Sequence, residues 1–294
     1  MDSKSLLFKT TSFTTSVYHE KLNIQEGASQ SPIANRCYQC YTLFVSLVDW
    51  RFYVKRVDGR AYDELRHIKI IPDYQSFAEG SALIKLGRTH VLCSVSVDER
   101  VPPFLKGSGT GWITAEYAML PRATVTRSQR DSVTGHVGGR NQEIQRLIGR
   151  SLRASADLAA LGERTLIVDC DVIQADGGTR TAAITGSYVA LHQATEKLAS
   201  MGVISSLPLK CAVAATSVGI VNSYMMVDLC YDEDSQAAVD FNIVMTSKGE
   251  FVEVQGTAEG KPFSRQSIDD LLSLAEKGIR QLFQAQQDVL KTMK

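Results

Sequence analysis

The chain has 294 residues, and 32 Lys+Arg balance 32 Asp+Glu to a formal net charge of zero. With 44% hydrophobic and 22% charged residues it has the composition of an ordinary globular protein, long enough for one or two domains. The zero mean charge argues against a uniformly basic nucleic-acid binder, and the best apolar run, Tyr41 to Val48, is far too short for a membrane span. The mean hides a segregation. Between Arg122 and Arg153 lie seven arginines (122, 127, 130, 140, 146, 150 and 153) against Asp131 and Glu143. Between Asp228 and Asp240 lie five acids (Asp228, Asp232, Glu233, Asp234 and Asp240) and no base. A basic face for a polyanion and an acidic cluster for a cation would be arranged this way, although charge runs are more often solvated surface.

Taken in chain order, the segment 1–56 is rich in Ser and Thr early and shows no clear period. Leu6-Leu7-Phe8 is too short for the core of a secretory signal. A transit peptide fits the early Lys and Ser/Thr but not Asp2, Glu20 and Glu26, and the favoured expectation is a start further downstream, near Val54. The segment is therefore expected to stand apart from a domain covering 57–294. Ser81–Leu86 and Thr89–Val97 read as a hairpin joined at Gly87-Arg88. The Gly107-x-Gly109-x-Gly111 loop precedes no helix and is weak evidence for a nucleotide site. Asn141–Leu161 reads as one helix, with Ile144, Leu147, Ile148 and Leu152 on one face and Arg146, Arg150 and Arg153 on the opposite one.

Thr165–Gln174 reads as a strand with Asp169 and Asp171 on the same side. Thr181–Ser200 reads as a helix ended by Gly202, and Lys210–Val221 and Tyr224–Tyr231 as strands. Phe241–Met245 and Phe251–Val254 form a second predicted hairpin, and Ile268 to about Leu290 a long amphipathic helix. The order is mixed, which makes the fold class α+β. Of the six cysteines, Cys93, Cys170, Cys211 and Cys230 sit in apolar runs and read as core residues. The Cys37-x-x-Cys40 pair has no second pair to complete a zinc site, and a reducing cytoplasm is the expected location.

The most telling run is Gln174-Ala175-Asp176-Gly177-Gly178-Thr179-Arg180-Thr181. A strand, a glycine turn and a helix start make an anion site, because the first helical N–H groups lack partners and the dipole end is positive. Arg180 adds a fork of donors suited to phosphate. Taken alone, the run fits a tight strand–helix connection with a surface arginine equally well.

Several blocks in order carry a resemblance. They are Gly111–Tyr117, Met119-Leu120-Pro121-Arg122, Gly138-Gly139-Arg140, Glu143–Arg150, Asp169–Thr181, Ser217–Val221 and Glu253–Gly260. Together, from near Val57-Asp58-Gly59-Arg60 almost to the C-terminus, the chain resembles the RNase PH family of phosphate-dependent 3′-to-5′ exoribonucleases that trim tRNA precursors. The resemblance implies the RNase PH fold, with mixed sheets, packed helices and a left-handed βαβ unit. It implies that Arg140, Gly178, Thr179 and Arg180 bind inorganic phosphate, the co-substrate. It implies that the Asp-x5-Asp pair, Asp234 and Asp240, is catalytic and binds Mg²⁺, with the division of labour between the two left open. It implies RNA contacts from Arg122, Arg127, Arg130, Arg146, Arg150 and Arg153, although Arg146 and Arg150 fit a subunit interface as well. It implies a hexamer assembled as a trimer of dimers, with the 3′ end of tRNA precursors or other RNA as partner.

Two departures from the family pattern stand out. Pro103 occupies a position where an arginine is common, and 131–137 is less basic than usual, so weaker RNA binding is expected. The alternative is a non-catalytic RNA-binding ring subunit of an exosome-type complex. Retention of Arg140, Thr179, Arg180, Asp234 and Asp240 favours the enzyme, and a hydrolytic nuclease would need no phosphate site.

Overall fold

The computed structural model describes residues 56–293. The Cys37-x-x-Cys40 pair and the expectations for 1–55 lie outside these residues. Arg56, expected to belong to the extension, is instead part of the fold. Its side chain is 3% exposed and its guanidinium is engaged by Glu233.

Nine strands make two sheets among the described residues. The first takes β1 (Ile68–Pro72), β2 (Gly80–Leu86), β3 (Thr89–Asp98), β4 (Trp112–Met119) and β5 (Thr165–Gln174), in the spatial order β1-β2-β3-β5-β4. Its neighbours are antiparallel except β4 and β5, which run parallel with Trp112 opposite Thr165. That pair is joined through α1 (Asp131–Thr134), α2 (Gly139–Ser155) and α3 (Leu158–Leu161), the crossover that parallel neighbours require. The second sheet is antiparallel, in the order β7-β6-β8-β9, from β6 (Val213–Val221), β7 (Tyr224–Val227), β8 (Val239–Thr246) and β9 (Phe251–Ala258). Two helices belong to this half, α5 (Tyr231–Asp234) and the long α6 (Arg265–Thr292). The α+β reading holds.

The helix that joins the halves is α4 (Thr179–Ser200), which packs on β2 and β3 of the first sheet and on β6 of the second. Its composition explains the position. Ala182, Ala183, Ile184, Val189, Ala190, Leu191 and Ala194 are all buried and lie around the helix rather than along one stripe. A helix apolar on every side has to be covered on every side. Gly186 permits the close approach, since a Cβ there would lie 2.7 Å from Ile84 Cγ2. By contrast α6 is one-sided, burying Leu271, Leu274, Ala275, Ile279 and Leu282 against β6 and β1. In β3 and β5 the inward residues alternate: Val91, Cys93 and Val95 meet Leu166, Val168, Cys170 and Val172 in the core. Asp169 and Asp171 share the opposite, half-buried face, where burial raises both pKa values. Cys93, Cys170 and Cys230 are buried and Cys211 is partly so.

The expected elements differ from the observed ones at two instructive places. The single helix expected over Asn141–Leu161 breaks after Ser155. Ala156 bridges to Leu209, the Asp157 N–H donates to the Pro208 carbonyl, and the Asp157 carboxylate then caps α3 through the N–H groups of Ala159 and Ala160. The strand expected over Tyr224–Tyr231 ends at Val227. Asp228 takes φ 53°, which turns the chain out of the sheet and into α5. The cause is tertiary and lies in the site itself.

Candidate active site

The turn Ala175–Gly178 connects β5 to α4 and crosses from one sheet toward the other. Gly177 and Gly178 have φ of 72° and 64°, the left-handed region that an L side chain resists. Gly178 is the N-cap of the 22-residue α4, and no side chain caps that helix. The first-turn N–H groups are thus left for a ligand, with the positive end of the dipole behind them. Thr179 follows, 7% exposed, its hydroxyl accepting a 2.8 Å hydrogen bond from Tyr117 in β4. Burial raises the Tyr117 phenol pKa, while the Thr179 hydrogen bond and the charges of Arg140 and Arg180 oppose the rise.

Beside the turn lie the two carboxylates, one from α5 and one from β8. Asp234 is the last residue of α5 and lies exposed at the edge of the cleft. Asp240 is in β8 opposite Gly219, half-buried, and its Oδ1 is fully covered with no hydrogen-bond partner. Loss of water and the charge of Asp234 push Asp240 up to about 6, with Arg180 pulling the other way. Desolvation also raises Asp234, against the pull of Arg180, Arg140 and Arg66. A covered carboxylate oxygen with no donor beside it calls for a proton or a cation. Two carboxylates are the donor set that Mg²⁺ takes, completing its shell with water and substrate oxygens. Among the described residues no group of three or more His, Cys, Asp and Glu side chains that could hold a metal ion gathers.

Arg180 closes one side of the cleft. Its Nη1 donates to Gln255 Oε1 at 2.8 Å and lies 3.7 Å from Glu143 Oε1, and Gln255 Nε2 donates to the same Glu143 oxygen at 2.5 Å. Arg140, in the first turn of α2, is exposed on the other side. The enclosed space is about 160 Å³, lined among others by Arg140, Gly177, Gly178, Thr179, Arg180, Asp234 and Asp240. The phosphate candidates and the aspartate pair, which are far apart in sequence, therefore share one cleft.

The other arginines are placed differently from one another. Arg122, Arg127 and Arg130 are exposed in the loop after β4, with Arg122 also donating to the Val125 carbonyl. Arg146 and Arg150 are exposed on α2, and Arg150 pairs with Glu253 at 3.2 Å. Arg153 turns inward. Its Nη1 donates to the Ile113 carbonyl and its guanidinium stacks 4.2 Å over the Trp112 ring, so it braces α2 against β4. Pro103 lies in a 3₁₀ turn, Pro103–Leu105.

Sequence reasoning missed the groups behind the cleft. Arg66, 5% exposed, holds Asp228 with Nε and Nη2 at 2.9 and 2.6 Å. Arg56 holds Glu233 in the same forked manner at 2.8 and 2.6 Å and donates to the Val227 and Asp228 carbonyls. Arg60 lies 3.5 Å from Asp228 and 3.7 Å from Glu233. The available signals were the arginines at 56, 60 and 66 and two of the five acids between 228 and 240.

The 3′ exoribonuclease family models match residues 64–195 (domain 1) and 211–278 (domain 2). A ribonuclease PH of Dehalococcoides mccartyi (strain BAV1) is 62% identical over 236 residues, 80% of this chain and 98% of that protein. A ribonuclease PH of Syntrophomonas wolfei is 55% identical over 237 residues, 81% of this chain and 99% of that protein. The fold is similar to a chain of the Archaeoglobus fulgidus exosome solved with RNA bound to the active site, with a TM-score of 0.66 at 23% identity, covering 89% of this chain and 100% of that one. The matched domains, the similarity over 80% of the chain and the shared fold agree: the chain belongs to the 3′ exoribonuclease family, the RNase PH family.

Proposed function

We propose that this chain is a phosphorolytic 3′-to-5′ exoribonuclease that shortens the 3′ ends of tRNA precursors by transferring terminal nucleotides to inorganic phosphate. The observation that carries this reading is the single cleft lined by Gly178, Thr179, Arg180 and Arg140 on one side and by Asp234 and Asp240 on the other. The names of the relatives support the same activity.

The reaction joins two anions, so positive charge has to be in place first. The open N-terminus of α4, the Thr179 hydroxyl, Arg180 and Arg140 bind inorganic phosphate. A phosphate oxygen attacks the phosphorus of the last internucleotide bond, the bond from that phosphorus to the 3′ oxygen breaks, and a nucleoside 5′-diphosphate leaves. The proton that the attacking hydrogen phosphate loses ends on the 3′ oxygen of the shortened RNA. Asp234 and Asp240 hold the divalent ion, Mg²⁺, which supplies charge neutralisation at the phosphoryl oxygens when bound. Arg180 is kept aimed by Gln255, and its charge also tempers the rise in the Asp240 pKa. Exposed Arg122, Arg127, Arg130, Arg146 and Arg150 grip the RNA backbone. Contacts to phosphate carry affinity without reading sequence, which suits a strand that has to advance one nucleotide per cycle. The assembly is a hexamer built as a trimer of dimers, and its place of action is the cytoplasm. Among the described residues no helix is long and apolar enough to cross a membrane.

Product identification tests the reading. The protein is incubated with a 3′-tailed tRNA precursor and Mg²⁺, with and without phosphate. Nucleoside diphosphates that form only with phosphate, and are lost in Arg180→Ala and Asp240→Ala, support it. Nucleoside monophosphates formed without phosphate mean hydrolysis. RNA binding without release means a non-catalytic ring subunit.

A further inference from the structure

Neither partner of the ion pair buried behind the glycine turn lines the cleft. Arg66 does not line the cleft; with His67, Arg88 and Asp176 it borders a separate hollow on the other side of the turn. From there its Nη1 donates to the Asp176 carbonyl and its Nη2 to the Gly177 carbonyl at 3.4 Å. Thr89, fully buried, works on the same two residues. Its hydroxyl accepts from the Asp176 N–H at 2.9 Å and donates to the Gly177 carbonyl at 2.7 Å. The turn that offers its N–H groups to the cleft is thus held by its carbonyls from the rear. Asp228, 1% exposed, completes the unit by accepting from Arg66 Nε, Nη2 and backbone N–H. The same residue carries the φ of 53° that ends β7 and begins the approach to α5, where Asp234 resides.

The geometry points to Arg66, Asp228 and Thr89 as positioning residues that set affinity for inorganic phosphate without touching it. Two left-handed glycines in succession leave a turn with many accessible conformations, and ordering it at the moment of binding would weaken the ligand's grip. Donors fixed to both carbonyls remove that freedom in advance. A guanidinium suits the task because its planar fork engages a carboxylate and the turn carbonyls at once, which an ammonium cannot do. The inference rests on the reading of the cleft as a phosphate site.

The test varies inorganic phosphate at saturating RNA, and RNA at saturating phosphate, in the full chain and in Arg66→Lys, Arg66→Ala and Thr89→Val. The last is nearly isosteric, removes the hydroxyl's contacts to the Asp176 N–H, the Gly177 carbonyl and Arg66 Nη1, and keeps the Arg66–Asp228 ion pair, so it tests the inference even where the arginine variants fold poorly. Ile279→Ala in α6, a buried residue that does not line the cleft, serves as a destabilised control. Each protein is assayed well below its own melting temperature, and the rise in that temperature on adding phosphate is recorded as a direct measure of phosphate binding. The expected result is a KM for phosphate raised roughly tenfold to a hundredfold in Arg66→Ala, the loss of a charge-assisted hydrogen bond. The rise should be smaller in Arg66→Lys and Thr89→Val, with KM for RNA little changed and the phosphate-induced stabilisation reduced in parallel. Ile279→Ala should melt earlier with both KM values unmoved. If the unaltered chain is phosphate-dependent and the turn variants lose only melting temperature, the unit is a structural brace and the positioning role is overturned. If the unaltered chain neither uses nor binds phosphate, the phosphate site falls, and the positioning role with it.

Discussion

Two sets of arginines surround this cleft, and they are built in opposite ways. Arg56 and Arg66 are buried, and each clasps one carboxylate with two nitrogens at 2.6–2.9 Å. Arg127, Arg130 and Arg146 stand in solvent. A charge removed from water is tolerable only with fixed partners, so the buried set is committed to one geometry. An exposed charge keeps its hydration and its rotamers, so it can follow a strand that slides. On the proposed reading, the cleft combines a rigid floor for a small anion with a yielding rim for a polymer. Arg180 lies between these extremes, half-buried and held by Gln255.

Substitutions along this gradient should scale with it. The largest loss is expected for Asp240→Asn, which should cut turnover by about 10³-fold, roughly 4 kcal/mol at the transition state, measured as nucleoside diphosphate release in single turnovers. The same variant should lose a pH dependence of stability. In metal-free protein the folded Asp240 pKa of about 6 lies above its ordinary 3.8. The folded state therefore binds the proton more tightly, and stability rises as pH falls from above 6 to below 4. Urea unfolding across that window should show the slope in the unaltered chain and its reduction in Asp240→Asn.

Next in size is Asp228→Ala. It leaves the Arg66 guanidinium buried without its carboxylate and should cost about 3–5 kcal/mol of unfolding free energy. Equal melting curves would show that the buried set is less committed than its geometry implies. Arg180→Ala follows, with KM for phosphate raised by about a hundredfold and RNA affinity within about threefold, since one bidentate anion contact is lost. Smaller again are Arg127→Ala and Arg146→Ala, each weakening RNA binding by a few-fold and lowering the salt slope by about 1. The smallest effect is expected from Arg100→Ala. Its pairing with the partly covered Asp98 leaves the guanidinium in solvent, and neither melting nor activity should change measurably. A large effect there would erase the distinction between buried and exposed pairs.

Much of this molecule was legible from local chemistry alone. The strand Thr165–Gln174, the glycine turn and the helix after it are specified by residues within reach of one another, and the expected strand bounds match the observed ones. The hairpin at Gly87-Arg88 and the one-sided pattern of α6 were legible for the same reason: period and turn chemistry act over a few residues. The candidate anion turn and the aspartate pair were visible as residue types at set spacings, and family resemblance, not periodicity, joined them.

What the chain could not disclose on its own is where its long side chains end. Helical spacing puts Arg146, Arg150 and Arg153 on one face, yet Arg153 reaches back to Ile113 and Trp112. Four rotatable bonds let an arginine tip travel farther than the width of a helix face. The same limit hid the ion pairs. Arg66 and Asp228 are 162 residues apart, and Arg56 and Glu233 are 177 apart. Asp228 bends the end of β7 because Arg66 holds it, so even a strand boundary depended on a distant partner. Local sequence determined the glycine turn that lines the cleft, but burial alone selected the charges that stand behind it. Desolvation forces such groups to pair, and only the folded chain decides which partners are near.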